Sequence, residues 1–113
     1  SIKEFTMGTS PVTDQSFQEE VVNYSEKLVL VDFWAEWCGP CRALAPVIES
    51  ISVKLEDKVK VLKLDTDQNP ETAQNFEITG IPCCILFKDG KEVKRITGFK
   101  PAAAFESEIE AFL

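Results

Sequence analysis

From Leu28 to Cys41 the chain reads LVLVDFWAEWCGPC. The first half, Leu28 to Trp34, is an unbroken β-rich apolar run, the pattern of a strand buried on both faces. Asp32 interrupts that run and needs an explanation, because a carboxyl inside an apolar strand is costly unless it is partnered. The second half ends on Cys38-Gly39-Pro40-Cys41, two thiols three positions apart where strand gives way to helix. Beyond Cys41, Leu44, Val47, Ile48, Ile51 and Leu55 lie on one stripe of an amphipathic helix. Pro46 falls inside that helix and should kink it, since proline removes a backbone donor.

The pattern continues outward in both directions. Upstream, Thr13 or Asp14 is positioned to cap a helix carrying Phe17, Val21 and Tyr24 on one side. Downstream, Val59 to Leu64 reads as a second strand, and Asn69-Pro70-Glu71 opens a short helix to about Phe76 with a cap, a proline and an acid in its first turn. Pro82 precedes a third strand, Cys83 to Phe87; Asp89-Gly90 is a tight-turn signal, and Glu92 to Thr97 pairs back antiparallel. Pro101 opens a last helix with Ala104, Phe105, Ile109, Phe112 and Leu113 on its apolar face. Strands alternating with helices predict an α/β fold: a central sheet, parallel in its core and closed by an antiparallel hairpin, hence mixed, with helices on both faces. Residues 1–10 are polar and mixed, without the apolar core of a signal peptide, and are expected to form an extended segment or an edge strand.

Size and charge narrow the functions open to such a fold. A chain of 113 residues fits one domain, 1–113, long enough for one real core. No apolar run approaches the roughly 20 residues a membrane-spanning helix needs. With 12 basic and 19 acidic residues the net charge is −7, which repels phosphate backbones and makes nucleic acid a poor partner. The absence of histidine removes imidazole bases and His-ligated metals.

The chemistry is concentrated in the cysteines. A thiol at a helix N-terminus meets unpaired N–H groups and the positive end of the helix dipole, which favour thiolate, the nucleophile of thiol–disulfide exchange. Gly39 and Pro40 set the turn, and two cysteines on one helical turn can close a disulfide with little backbone movement. Cys-x-x-Cys also begins many zinc knuckles, but those need a second usable pair. Here the other two cysteines, Cys83 and Cys84, are adjacent in a strand and should point to opposite faces.

Trp34-Ala35-Glu36-Trp37-Cys38-Gly39-Pro40-Cys41, preceded by Val31-Asp32-Phe33, closely resembles the active-site signature of the thioredoxins. Val61 to Asp65 with Asp67-Gln68-Asn69-Pro70, Gly80-Ile81-Pro82, Phe87-Lys88-Asp89-Gly90 and Gly98 extend that resemblance over nearly the whole chain. It implies a thioredoxin fold and a general protein disulfide reductase, with no bound cofactor and no metal. Cys38 would be the exposed attacking thiolate and Cys41 the buried resolving thiol, closing a redox-active Cys38–Cys41 disulfide. Asp32 would take the proton from Cys41 through water, its pKa raised by burial, with Lys63 close by to moderate that burial. Pro82 would follow a cis bond, Ile81 would offer its backbone to the substrate, and Trp37, Gly39, Pro40, Ile81 and Gly98 would form a flat apolar surface around Cys38. Trp34 would buttress the active-site turn. Electrons would come from a thioredoxin reductase, either an NADPH-dependent flavoprotein or a ferredoxin-linked enzyme. A cytoplasmic monomer acting on disulfide-containing proteins is the implied setting.

Some positions depart from the family pattern. Cys83 and Cys84 stand where Thr and an aliphatic residue are usual; they read either as small buried hydrophobes or as an accessory thiol near the site. Phe99 and Thr66 replace smaller and more apolar residues, which bears on partner preference rather than on chemistry. The alternatives to a reductase are an oxidase or isomerase of the same fold, and a non-catalytic interaction subunit. Gly39-Pro40 favours the reductant, because oxidising relatives usually carry a histidine between the cysteines.

Overall fold

The computed structural model describes residues 8–113. Five strands form one sheet in the order β1-β3-β2-β4-β5: β1 (Thr9–Pro11), β2 (Leu28–Trp34), β3 (Val59–Asp65), β4 (Cys83–Lys88) and β5 (Lys91–Thr97). β1 and β2 run parallel to β3 on either side of it, while β4 is antiparallel to β2 and β5 to β4. The sheet is therefore mixed, a parallel core finished by the hairpin that Asp89-Gly90 turns. Both turn residues sit at positive φ, +51° and +80°, which suits the tight two-residue connection between twisted strands. Of the expected N-terminal segment, Thr9 and Ser10 belong to the edge strand; residues 1–7 lie outside the described residues.

The continuous apolar run of β2 is explained by its position, flanked by β3 and β4 and covered on both faces. One face carries Leu28, Leu30, Val59, Val61, Cys84, Leu86 and Ile96 against helices α1 (Gly39–Lys54) and α3 (Ala102–Glu110), which contribute Leu44, Ile48, Ile51, Phe105 and Ile109. The other carries Val29, Val31, Phe33, Leu62, Leu64, Cys83, Ile85 and Phe87 against Phe17, Val21 and the short helix α2 (Pro70–Asn75). There Phe17, Phe76 and Phe87 meet with ring centroids 5.5–5.8 Å apart, tilted or edge-on. Helix α1 continues through Pro46, which faces solvent, to Lys54.

The N-terminal helix differs from expectation. Only Gln18–Val22 forms a helical turn, a wide one in which the Asn23 N–H bonds to the Gln18 carbonyl at 2.8 Å. Thr13 caps the turn that leads into it: the Ser16 N–H donates to Thr13 Oγ1 at 3.1 Å and the Thr13 N–H to Ser16 Oγ at 2.9 Å. Asp14 caps a different helix: its carboxylate accepts the Thr72 N–H at 2.8 Å, the Thr72 hydroxyl at 2.6 Å and the Glu71 N–H at 3.2 Å, all at the start of α2. The reason is that Asn69, which should cap α2 from within, is engaged elsewhere. Its Oδ1 accepts the Asp14 N–H and its Nδ2 donates to the Asp65 carbonyl.

Candidate active site

The site is built at the end of β2. After Trp34 the chain turns through Ala35, Glu36 and Trp37, and Cys38 becomes the N-cap of α1 with Pro40 in the first turn. Cys38 and Cys41 are joined by a disulfide, and Cys38 Sγ accepts the Cys41 N–H at 3.2 Å, a sulfur satisfying one of the helix's unpaired donors. The same sulfur lies 3.7 Å from the Ile81 carbonyl oxygen. The Ile81–Pro82 bond is cis, and the Gly98 N–H donates to the Pro82 carbonyl at 2.8 Å. Gly98 has φ +86° with open space where a Cβ would stand, so the backbone conformation, not crowding, demands glycine.

Around this centre Trp37 is 68% exposed, Gly39 and Pro40 are exposed, Ile81 and Gly98 are half-buried, and Pro82 is buried beneath them. Cys38 differs from expectation: like Cys41 it is only 3% exposed. In the disulfide its sulfur is turned inward, against the Cys41 N–H and the Ile81 carbonyl. Trp34 packs half-buried on Ala35, Cys38 and Cys41, as a buttress should. Trp37 is steadied by its indole N–H donating to Asp67 at 3.0 Å, a partnership that no local pattern announces. A cleft of about 260 Å³ runs from Trp37 past Thr66 and Ile78 to Ile81, so Thr66 does border this surface. Phe99, next to Gly98, is 49% exposed.

Asp32 is buried on the α1 and α3 side of the sheet, 1% exposed. The register sets Lys63 of β3 on one side of it and Cys84 of β4 on the other. Burial raises its pKa to about 6, against the opposing pull of the Lys63 charge and of the Cys84 thiol, which donates to Oδ1 at 3.7 Å. Lys63 also sets its ammonium 4.8 Å from the Trp34 ring centroid. Cys84 is buried, and desolvation together with the neighbouring Asp32 charge pushes its thiol well above the ordinary range. Cys83 lies in the other core; both are free thiols, on opposite faces as alternation requires. Among the described residues, no group of three or more His, Cys, Asp or Glu side chains could hold a metal ion.

Chemically, this arrangement exchanges disulfides. A sulfur–sulfur bond at a helix N-terminus can take up two electrons and open to a dithiol, which passes them to another such bond as it closes again. The molecule is a thiol–disulfide oxidoreductase. Residues 8–111 match the sequence model of the family described as Thioredoxin. Relatives named Thioredoxin include one from Mycobacterium bovis, 54% identical over 89% of this chain and 86% of its own length. Another, from Synechocystis sp., is 50% identical over 93% and 97%, and one from Porphyra purpurea is 43% identical over 95% and 99%. The chain belongs to the thioredoxin family.

Proposed function

We propose that the chain works as one thioredoxin domain, a general reductant of protein disulfides, with Cys38 as nucleophile and Cys41 as resolving thiol. The observation that carries this reading is the Cys38–Cys41 disulfide across the first turn of α1. In the reduced protein the Cys38 thiolate attacks one sulfur of the target disulfide; a Cys38–target bond forms and the other target sulfur leaves. Asp32 takes the Cys41 proton through water, and its pKa of about 6 suits a base working near neutrality. The Cys41 thiolate then attacks Cys38 Sγ, closing the internal disulfide and releasing the second target thiolate. Lys63 moderates the charge that Asp32 carries until it accepts that proton. Trp37, Gly39, Pro40, Ile81 and Gly98 form the docking surface over Pro82, with the Ile81 backbone as the strand partner of the target.

A thioredoxin reductase, NADPH- and flavin-dependent or ferredoxin-linked, returns the two electrons, and no resident cofactor is required. The chain acts in the cytoplasm as a monomer. Support for the monomer comes from the sheet edges: β1 is three residues long and ends in Pro11, and β5 carries Lys91, Glu92, Lys94 and Arg95, features that oppose edge-to-edge pairing.

The test is insulin reduction with dithiothreitol as electron source. Cys38→Ser should lower the rate to less than about a tenth, the scale expected for loss of a nucleophile. Cys41→Ser should still attack but accumulate mixed disulfides with lysate proteins that reductant releases. A Cys38→Ser variant as fast as the wild type would hand the protein to the rival reading, an interaction subunit with dispensable thiols.

A further inference from the structure

The reading above leaves Cys84 unused, yet this thiol is in contact with the buried carboxylate. We propose that Cys84 is a positioning residue for the exchange reaction: its S–H donates to Asp32 Oδ1 and holds that carboxylate in the orientation from which it serves Cys41. The inference rests on the proposed role of Asp32 as proton acceptor.

Three observations support it. The antiparallel register puts Cys84 directly opposite Asp32, so the two side chains rise from the same face of adjacent strands. Cys84 Sγ stands 3.7 Å from Oδ1 in a site where both residues are 1% exposed. Burial and the Asp32 charge keep the Cys84 thiol protonated across the working range of pH, so it remains a donor when Asp32 is ionised. An apolar residue of similar volume would fill the same space in the core but offer the carboxylate nothing. The charged group acting on Asp32 is Lys63 from β3; Cys83, on the other face of β4, feels the Asp32 charge, and Cys41 of α1 titrates only when the disulfide is reduced. Apart from Cys41, helices α1 and α3 present Leu44, Ile48, Ile51, Phe105 and Ile109 to this face, none of them ionisable. A charged acceptor gains more from a hydrogen bond than its neutral form does, so removing the donor should favour protonated Asp32.

The experiment follows the Asp32 carboxyl by carbon-13 NMR in the oxidised protein, alongside the pH profile of the resolving step. Cys84→Val should raise the midpoint by about half a unit, the scale of one weak donor to a charged group. Cys84→Ser, which keeps a donor, should not raise it. A midpoint unmoved by Val, or raised equally by Ser, overturns the proposal and returns Cys84 to plain packing. The wild type supplies a readout that needs no variant to fold. With Cys38 and Cys41 oxidised, its only S–H stretches in the infrared come from Cys83 and Cys84. One of the two should shift as pH passes through about 6, the Asp32 midpoint, and bands that both stay fixed count against the bond. If the NMR midpoint moves with Val while the resolving step keeps its pH profile, the Cys84–Asp32 bond stands and the base role of Asp32 fails. The two readings are thereby separated.

Discussion

At neutral pH the Asp32 carboxylate works against the fold that holds it. Its pKa is about 6 in the folded protein against 3.8 for an unperturbed aspartate, because burial disfavours the charge more than Lys63 and Cys84 restore it. The folded state thus binds the Asp32 proton more tightly than the unfolded state. The resulting penalty is small below pH 3.8, grows between 3.8 and 6, and is complete above 6. Asp32→Asn removes the ionisation while keeping the shape. It should be more stable than the wild type by about 3 kcal/mol at pH 7, with most of that advantage gone near pH 4. Urea unfolding at the two pH values checks it; an equal advantage at both would mean that packing, not charge, sets the difference. The same variant should exchange disulfides more slowly. Asp32 was legible as an anomaly because it breaks an apolar run. Lys63 could be placed near it by family resemblance, whereas Cys84 could not, since its contact depends on an antiparallel register across 52 positions of sequence.

Among the elements, α2 depends on a residue far from it in sequence. Its six residues make fewer than two turns, too few to stand alone, and Asp14 supplies the cap. Burial pushes the Asp14 carboxyl up, but the hydroxyl and N–H of Thr72 and the N–H of Glu71 together hold it below 3.8. A lowered pKa means stability that is present above pH 3.8 and lost as pH falls through the folded value. Asp14→Ala should therefore cost about 1 kcal/mol at pH 7, the usual scale for a lost cap, and less in acid. Urea midpoints of variant and wild type that stay equally far apart near pH 3 would show that the carboxylate charge is not the active part. This is also where local reading fails. Thr13 and Asp14 precede Phe17, Val21 and Tyr24 at helical spacing, so both look like caps there, but only Thr13 caps the turn that leads into that helix. The three-dimensional fold sends Asp14 to a helix start 57 and 58 positions away. The elements legible from sequence are those whose signal is intrinsic: the two-faced run of β2, the Asp-Gly turn between β4 and β5, and the stripe of α1.

Across the whole molecule, the two cores share one sheet, and β4 sits between β2 and β5 with Cys84 in one core and Cys83 in the other. Sequence alternation alone predicted that split, and it makes the two thiols reporters of both halves of the structure. Residues 3% and 1% exposed on a strand bonded on both sides should not meet an alkylating reagent until the sheet opens. In the oxidised protein Cys83 and Cys84 should therefore label at one common rate, with the urea dependence of global unfolding, provided closing is fast relative to labelling. The unfolded chain should take up two labels, because the only disulfide joins Cys38 to Cys41. Asp32→Asn should slow both reactions at pH 7 by roughly a hundredfold, its stability gain converted at about 1.4 kcal/mol per factor of ten. If Cys83 alone labels early and ignores the Asp32 substitution, the β4–β5 hairpin opens without the rest, and the two cores do not melt together. If both label slowly but the substitution changes neither, the Asp32 charge carries no net burial penalty in the native state, and the residue-scale account fails with it.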